Sequence, residues 1–544
     1  MRALQTLIVV CVLFPWADMD GLAQGQESAV ASEPASKLDG ALGEVQGFAP
    51  VFVRMDDQLF GRGGDYERFC AEQPRTAKRL ELRGRVVKTL KGKASRSKRR
   101  TSSELERLVT EGAVRKVQHY WIVNGFACEA TAEGCVALAA LQEVAFVYRQ
   151  RFGAQHSRKR DASFEPNAEL AELYKGLLSE WRSDRSDPFD ASELEVPWNL
   201  KAVGADRAWK EHGVTGAGVV VAVLDDGLMN IPALLPSLWR NPGESLNGKD
   251  DDGNGYVDDV FGYDFKAGSP YVVSPSGHRH GTLCASVVAS RPFTKGEPIA
   301  TGVAPRATIM PLVGSGQLRG YEYALENGAD VLSMSYTFEP IEMGQYRGLF
   351  RTAHEHLAAA GIVSVGGAGN YAQSRPSGTQ IGSPKDVPCV IAAAGVGPDL
   401  EVTAFSSRGP VSWEGIRFFD QVDAGDLTPA KPDVTCCNSG LPMWTLREVW
   451  TGKKANRIEV VVREDDAGYI LATGPRGNSF AGPHAAGVVA LLLEAQPDLP
   501  VWHVQTILAS TAKDMGEPGH DTLHGAGMVQ AHAAVAKALA FIND

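Results

Sequence analysis

The alternation of short apolar runs with helical segments beyond Trp198 constrains the fold most strongly. The runs typical of strands are Val219–Leu224, Ile309–Leu312, Val331–Met334, Ile362–Val365 and Val390–Ala394. The segments typical of helices are Gly281–Ala289, Gly320–Asn327, Met343–Ala360, Ser479–Ala495 and Val501–Ser510. Near-continuous apolar strands separated by helices predict an α/β fold, a doubly wound, mostly parallel sheet flanked by helices.

The size and charge of the chain narrow the classes of protein it can belong to. Its 544 residues exceed one typical compact domain. The net charge of −11 argues against a dedicated nucleic-acid binder, which needs a basic face, so no nucleic-acid partner is expected. One basic run extends from Lys88 to Arg100, and we interpret it as a solvated, flexible loop. A patch for a polyanion is the alternative.

The first residues are typical of an export signal. Arg2 is a minimal positive region, Ala3–Trp16 is apolar, and Gly21-Leu22-Ala23 offers small residues for cleavage. Residues 1–23 are therefore predicted to be a signal peptide, with an uncleaved anchor as the alternative. No later run is apolar enough to cross a bilayer, so no membrane segment is expected once the signal peptide is removed. The mature chain is therefore predicted to be secreted or extracytoplasmic, for example periplasmic.

Cysteine usage gives no metal-binding or disulfide-rich signature. Seven of the eight cysteines lie outside the presumed signal. Their spacing matches neither a zinc site nor a dense disulfide framework. One or two disulfides are conceivable after export, with the pairing left open, and the adjacent Cys436 and Cys437 are not expected to bond each other.

Composition divides the region before Trp198 into three parts. Residues 24–46 predict a disordered leader because large apolar residues are scarce. Residues 47–151 predict a small α+β unit of three strands and two helices, and 152–192 an exposed linker open to proteolysis. The predicted elements of the unit are Val51–Arg54, Ser102–Glu111, Val117–Ala130 with a turn at Asn124-Gly125, Ala132–Leu141 and Val144–Tyr148.

Three motifs place reactive side chains at the end of a predicted strand or at the start of a predicted helix, where parallel sheets bind ligands. Asp225 ends an apolar strand, and ligands bind beyond the carboxyl ends of such strands. His280 is followed by Gly-Thr at the start of an apolar helix, with His278 as a competing candidate. Ser479 opens a long apolar helix, whose first turn supplies N–H groups and positive potential. Taken singly, each motif is as typical of a cap or a polar loop residue.

Taken in order, Asp225, His280 and Ser479 resemble the subtilisin family of serine proteases, in which the triad runs Asp, His, Ser. The resemblance covers about Trp198 to Ala540, taken as domain 193–544. Further similar segments are Gly302–Ala307, Gly328–Ser335, Phe405–Pro410 and Gly525–Gln530. It implies that Ser479 attacks the scissile carbonyl, that His280 moves the proton, and that Asp225 orients the imidazole.

The resemblance also implies an oxyanion site and a substrate cleft. Asn370, in Gly366–Asn370, matches the asparagine that donates to the oxyanion, together with the Ser479 N–H. The cleft residues implied are Ser335, Tyr336, Thr337, Gly366 and Gly367.

Three departures from the family pattern stand near these residues. Thr337 stands where glycine is common, and Asn478 replaces a threonine. An insertion at 436–475 begins with Cys436-Cys437-Asn438 and is predicted to form a surface hairpin near the active site. The strands expected in this hairpin are Ile458–Val462 and Tyr469–Ala472.

An acidic loop at residues 249–259 predicts a structural Ca²⁺ site. Oxygen-bearing residues alternate, with glycine at the sixth position, as at the start of an EF-hand, although Phe261 stands where the closing glutamate would be. The alternative is a solvated acidic loop. The expected ligands are Asp250, Asp252, Asn254, the Tyr256 carbonyl and Asp258.

The unit at 47–151 resembles the inhibitory propeptide of the same family, carried by His119–Ala130, the following helix and Val144–Tyr148. The resemblance implies a precursor whose own propeptide is an intramolecular inhibitor, cleaved within 152–192, and a monomeric enzyme acting on protein or peptide substrates. A retained accessory domain is the alternative for this unit. For the whole chain the alternatives are an inactive relative used for binding and a calcium-binding structural protein.

Overall fold

A computed structural model describes residues 34–43, 45–150, 168–181, 189–274, 279–294, 298–420, 427–446 and 460–541. The predicted signal peptide and His278 lie outside these residues.

The N-terminal unit is a four-stranded antiparallel sheet with the order β2-β3-β1-β4. Its elements are β1 (Ala49–Met55), α1 (Asp65–Glu72), α2 (Arg79–Thr110), β2 (Val114–Tyr120), β3 (Gly125–Ala130), α3 (Ala132–Ala140) and β4 (Val144–Arg149). Asn124 has a φ of 32° in the turn between β2 and β3, as the Asn-Gly pair predicts. The structure therefore adds one strand and one helix to the predicted unit.

The prediction that Lys88–Arg100 is a flexible loop is wrong, because this run lies inside the 32-residue helix α2. Leu82, Val86 and Leu90 are buried at helical spacing, so one face of α2 is apolar despite the positive charge. Lysine and arginine are good helix formers, and they occupy the exposed face.

Parts of the predicted leader and linker are also ordered. Asp39 donates its N–H to the Val147 carbonyl at 3.0 Å, and Leu42 is buried, so residues 34–43 pack on the N-terminal unit. In the linker, residues Ala168–Glu180 form α4, an amphipathic helix. The Tyr174 hydroxyl accepts the N–H groups of Val272 and Val273 at 2.7 and 3.0 Å, which fixes α4 to the larger domain.

The larger domain confirms the predicted doubly wound α/β fold. Its seven-stranded sheet has the order β13-β12-β11-β10-β5-β9-β7, and all of these pairs are parallel. The strands are β5 (Val220–Asp225), β6 (Leu228–Met229), β7 (Tyr263–Asp264), β8 (Val273–Ser274), β9 (Thr308–Val313), β10 (Val331–Met334), β11 (Val363–Gly367), β12 (Ile391–Val396) and β13 (Val434–Cys437), of which β6 and β8 pair separately.

Helices accompany this sheet, and one of them runs through the centre of the domain. They are α5 (Trp198–Ala202), α6 (Ala205–His212), α7 (Arg279–Ala289), α8 (Leu318–Glu326), α9 (Pro340–Met343), α10 (Arg347–Ala359), α11 (Asn478–Ala495), α12 (Val501–Thr511) and α13 (Ala531–Ala540). Helix α11 packs on β10–β13 and on α7, and nearly every residue from Asn478 to Leu493 is buried. A helix that is apolar all round needs such a position.

The insertion forms a small antiparallel sheet with the order β14-β16-β15, rather than a two-stranded hairpin. Its strands are β14 (Met443–Leu446), β15 (Val460–Glu464) and β16 (Tyr469–Thr473). Met443, Leu471 and Ala472 are buried and β14 packs against α7, so the insertion contributes to the core as well as the surface.

In the described ranges, no helix combines the length and apolar character needed to cross a bilayer. The seven cysteines that fall within those ranges are free thiols.

Candidate active site

Asp225 and His280 meet at the carboxyl end of the parallel sheet. Asp225 is the last residue of β5, and His280 lies in the first turn of α7. His280 Nδ1 lies 2.8 Å from Asp225 Oδ1 and 2.9 Å from Oδ2. The carboxylate accepts only, so Nδ1 carries the proton and Nε2 is the basic nitrogen. The carboxylate side chain is 9% exposed, whereas the imidazole is 42% exposed.

The glycine after His280 makes this approach possible. A Cβ on Gly281 would lie 2.3 Å from the Gly227 carbonyl oxygen and 3.3 Å from Asp225 Cβ. Any side chain at this position would therefore push α7 away from the end of β5. The His-Gly pair of the motif thus has a steric basis in the fold.

Ser479 lies at the second position of α11, as the sequence predicts. Its carbonyl oxygen accepts the Ser335 hydroxyl at 2.8 Å, which joins the start of α11 to the segment after β10. The rings of His280 and Phe480 are 6.2 Å apart, so the imidazole faces this first turn. Among the described residues no hydrogen bond joins Ser479 Oγ to His280, and such bonds are often long before substrate binds.

Asn370 is held beside Ser479 by the residue that precedes the serine. The Asn478 N–H donates to Asn370 Oδ1 at 2.8 Å. The Asn478 side chain donates to the Gly369 carbonyl at 2.8 Å and accepts from Asn438 Nδ2 at 2.7 Å. Asn370 Oδ1 is thus occupied, and its Nδ2 is the donor left for the cleft.

The predicted cleft residues surround one open space of about 150 Å³. Its lining residues are Ser335, Tyr336, Thr337, Gly367, Gly369, Asn370, Tyr371 and Ser479. Gly366 lies behind this lining, because a Cβ on it would be 2.5 Å from the Met334 carbonyl oxygen. The structure therefore brings together Ser479, Asn370 and four of the five predicted cleft residues.

Cys284 is a neighbour of the site that the sequence interpretation missed. Its Sγ lies 3.9 Å from His280 Nδ1, 3.4 Å from Ser335 Oγ and 3.4 Å from the Ser479 carbonyl oxygen. Burial raises the pKa of the Cys284 thiol. The Cys284 sulfur and then the hydrogen bond that His280 donates to Asp225 raise the pKa of His280 above its usual value. Helical spacing from His280 was the available signal, since a residue four positions on shares its face.

The acidic loop brings together two of the predicted ligands and one carboxylate that was not predicted. Carboxylate oxygens of Asp250 and Asp252 lie within 4.8 Å of each other and of Glu244, which the sequence analysis missed. Asn254 Nδ2 contacts Asp252 at 3.1 Å, and Asp259 Oδ1 is buried with no hydrogen-bond partner within the described ranges.

The other two predicted ligands of this loop have different surroundings. Asp258 Oδ1 accepts the N–H groups of Asn247 and Gly248, both at 2.8 Å, and the Tyr256 ring packs on Tyr263. The donor set at Glu244, Asp250 and Asp252 fits Ca²⁺, which prefers oxygen ligands.

The doubly wound fold and this group of side chains are similar to those of serine-type endopeptidases. The sequence profile of the subtilase family (Peptidase_S8) matches residues 216–527, and the chain belongs to that family.

Two relatives illustrate the range of similarity. Fervidolysin of Fervidobacterium pennivorans is 27% identical over 402 residues, which cover 68% of this chain and 47% of that protein. Subtilisin DY of Bacillus licheniformis is 27% identical over 350 residues, 62% of this chain and 98% of that protein. The chain thus spans about half the length of the first relative.

A solved structure supports the fold. The crystal structure of fervidolysin, described as a keratinolytic enzyme related to subtilisin, aligns with a TM-score of 0.52 at 20% identity. The alignment covers 91% of this chain and 62% of that one.

Proposed function

We propose that the chain is a secreted serine endopeptidase, made as a precursor and self-processed, that cuts protein or peptide substrates as a monomer. The observation that carries this proposal is the hydrogen-bonded pair of Asp225 and His280 beside the cleft that holds Ser479 and Asn370. Subtilase membership supports the same reaction class.

The triad acts through the tautomer that Asp225 imposes. Because His280 Nδ1–H donates to the carboxylate, Nε2 is free to accept the Ser479 hydroxyl proton as Oγ attacks the scissile carbonyl. The imidazolium that forms is stabilised by Asp225. It then gives its proton to the leaving amine, which leaves an acyl group on Ser479, and water repeats the sequence to release the acid.

The negative oxygen of the tetrahedral intermediate is stabilised by Asn370 and the Ser479 N–H. Asn370 Nδ2 is the donor not used by Asn478. The first turn of α11 adds positive potential at the same point. Donors fixed before the reaction stabilise developing charge without reorganisation.

The N-terminal unit serves as the intramolecular inhibitor and docks on α8, α10 and their neighbours. Arg79 donates to Asp330 Oδ1 and to the Gly361 carbonyl, both at 2.9 Å, from a buried position. Glu322 of α8 accepts the N–H groups of Trp121 and Ile122 at 2.6 and 3.0 Å. These contacts join the N-terminal unit to α8 and to the residues that precede β10 and β11, and they support an inhibitor bound before cleavage within 152–192.

The position of β4, the last strand of the N-terminal unit, supports the role of this unit as an inhibitor. Strand β4 ends at Arg149, and the Tyr148 and Tyr346 rings lie 6.0 Å apart. Tyr346 contacts Phe350, which contacts Phe338, one residue beyond the cleft residue Thr337. The end of β4 is thus connected to the residue next to Thr337 by a series of three ring contacts.

Calcium is proposed as a structural ion of the acidic loop. Glu244, Asp250 and Asp252 would hold it, with Asn254, Asp258 and the Tyr256 carbonyl as the further ligands predicted from the sequence. The ion would neutralise a cluster of like charges and so limit local unfolding of this loop.

Labelling with a fluorophosphonate probe tests the proposal. The purified protein should label at Ser479, whereas Ser479→Ala should not label and should remain an unprocessed precursor on N-terminal sequencing. The control Ser374→Ala changes an exposed serine near the cleft and should leave labelling and processing intact. Labelling that persists in Ser479→Ala would contradict the assigned nucleophile.

A further inference from the structure

Lys385 is a buried lysine between β11 and β12 that the proposed reaction does not use. The residue is 1% exposed, and its Nζ has no hydrogen-bond partner within the described part of the chain. An ammonium group removed from water without a partner is costly, so such a residue needs a compensating interaction.

The side chain of Lys385 lies between the two walls of the substrate cleft. Its Cδ is 2.8 Å from the point where a Cβ on Gly366 would stand, so this glycine leaves room for the lysine. Its Nζ lies 5.2 Å from the centroid of the Tyr336 ring. Tyr336 lines the cleft with Ser479, and Gly366 precedes the lining residue Gly367. Lys385 is not itself a lining residue, and it lies next to Gly366 and Tyr336, directly behind the lining.

The acidic groups around Lys385 have other partners. Asp386 Oδ2 is 2.9 Å from Arg347 and accepts the Ser383 hydroxyl at 2.8 Å. Asp225 accepts the His280 Nδ1–H. The chain thus supplies no free carboxylate to Lys385 among the residues described.

The neutral groups around Lys385 also have partners, except for His354 Nε2, which is buried without a hydrogen-bond partner among the described residues. The Tyr336 hydroxyl lies 2.7 Å from that of Tyr321, and His354 Nδ1 lies 3.0 Å from Ser364 Oγ. Apart from the face of the Tyr336 ring, Lys385 Nζ therefore has no partner among the described residues, and an anion that enters the cleft from outside would supply one.

Thr337 limits the size of the group that can enter. Its Cγ2 is 2.7 Å from the position of a Cβ on Gly382, so the threonine methyl reaches across to the opposite loop. A short side chain with a terminal negative charge fits a narrow space that ends at a lysine. Large aromatic side chains fit it poorly.

We propose that Lys385 selects aspartate or glutamate as the residue immediately before the scissile bond. The inference rests on the proposed function, since it names the substrate class of that same cleft. The carboxylate of the substrate pairs with Lys385 Nζ and completes a buried ion pair that the free enzyme leaves half formed. Selection thus arises from desolvated charge complementarity.

Matched fluorogenic peptides that differ only at this residue test the inference. The pairs are Glu against Gln and Asp against Asn, because each pair is isosteric and differs in charge. With the processed enzyme, kcat/KM for the acidic member should exceed that of the amide by at least about tenfold. Equal rates within both pairs would overturn the inference.

Variants locate the effect at Lys385. Lys385→Met should abolish the preference for the acid and raise kcat/KM for leucine or methionine at this residue. Lys385→Arg keeps the charge and should keep the preference. Should Lys385→Met fail to fold, the peptide pairs and Lys385→Arg still decide, because a preference lost in a folded arginine variant would contradict the charge argument.

Lys431→Met is the matched control. Lys431 is also 1% exposed at its side chain, but it pairs with Asp433 at 2.7 Å, away from the cleft. Loss of the Lys431 ammonium should lower the free energy of unfolding. It should leave the ratio of kcat/KM for the acidic and amide peptides unchanged.

Fluorophosphonate labelling distinguishes failure of the proposed endopeptidase function from failure of the proposed selection by Lys385. Labelling of Ser479 with equal cleavage of acid and amide peptides overturns the inference alone. Absence of both labelling and cleavage in the processed protein overturns the proposed function and the inference with it.

Discussion

The Asn478 N–H donates to Asn370 Oδ1 at 2.8 Å, so the residue before the nucleophile orients the oxyanion donor. The amide of Asn370 is therefore not free to rotate, and its Nδ2 is directed by a bond made on the opposite side. The side chain of Asn478 is itself held by Gly369, Ser406 and Asn438. The asparagine that replaces the family's usual threonine is thus part of a buried network.

Replacement of Asn370 by leucine should lower kcat by about 10²–10³-fold with little change in KM, because the lost donor acts mainly on the transition state. Active-site titration with a fluorophosphonate, followed by steady-state kinetics on a peptide, measures the effect. An equal rise in KM with unchanged kcat would show that Asn370 binds the ground state instead.

Replacement of Asp225 by asparagine should lower kcat by about 10⁴-fold through the wrong imidazole tautomer. It should also shift the pH profile. Since the hydrogen bond that His280 donates to Asp225 contributes to the raised pKa of His280, and the neutral imidazole is the base, activity is lost as pH falls through this pKa. Without the carboxylate the acidic limb of kcat/KM should move to lower pH, and a limb that stays in place would contradict the assignment.

The sheet was predictable because its strands are apolar runs that local pattern detects. Asp225, His280 and Ser479 could be found because each stands at the end of an element whose type the sequence predicts. Helix α2 was not predicted at Lys88–Arg100 because the many charges of this run obscure the helical spacing of Leu82, Val86 and Leu90.

Side chains brought in from distant segments were not predictable. Glu244 joins the acidic loop from outside its alternating pattern, and Lys385 packs against Gly366 and Tyr336 from the loop after β11. Cys284 stands one helical turn from His280, but nothing local shows that it faces Ser335. Tertiary packing decides these contacts, and a single sequence does not specify them directly.

Chelation should destabilise the protein if the acidic loop binds Ca²⁺. Restoring Ca²⁺ to a hundred times its Kd should add about 2.7 kcal/mol to the free energy of unfolding. Glu244→Gln should remove most of this gain in thermal melts with and without EDTA. Asp251→Asn is the matched control, because Asp251 is exposed, lies outside the proposed ligand set, and accepts the Asn247 side-chain N–H at 2.8 Å. An equal loss of the calcium effect in Asp251→Asn would show that the effect follows the net charge of the loop rather than coordination by Glu244.

Glu322 should make the docking of the N-terminal unit weaken as pH rises. Burial beneath this unit raises the pKa of Glu322 to about 7, whereas an exposed glutamate titrates near its usual 4.5. The docked state therefore holds more protons, and its stability is lost between these two values as pH increases. Glu322→Gln should remove this dependence, measured as the rate at which peptidase activity appears after the purified precursor is shifted to each pH. A variant with an unchanged profile would contradict the role of Glu322.

Protonation of His356 in α10 should weaken the docking of the N-terminal unit as the pH falls. Its Nδ1 lies 2.5 Å from the Ile122 carbonyl oxygen, and its Nε2 accepts the Phe60 N–H at 3.2 Å, so the docked imidazole is neutral. Burial lowers the pKa of His356 to about 4, below its usual 6.5, and the docked state therefore holds fewer protons. Docking should weaken as pH falls between these values, because a protonated Nε2 repels the Phe60 N–H. His356→Gln keeps one donor and one acceptor without titrating, so below pH 6.5 this variant should activate more slowly than the unsubstituted protein at the same pH. His354→Gln is the control, since His354 contacts Ser364 within the catalytic domain, and an identical loss of acid activation there would show that His356 is not the responsible group.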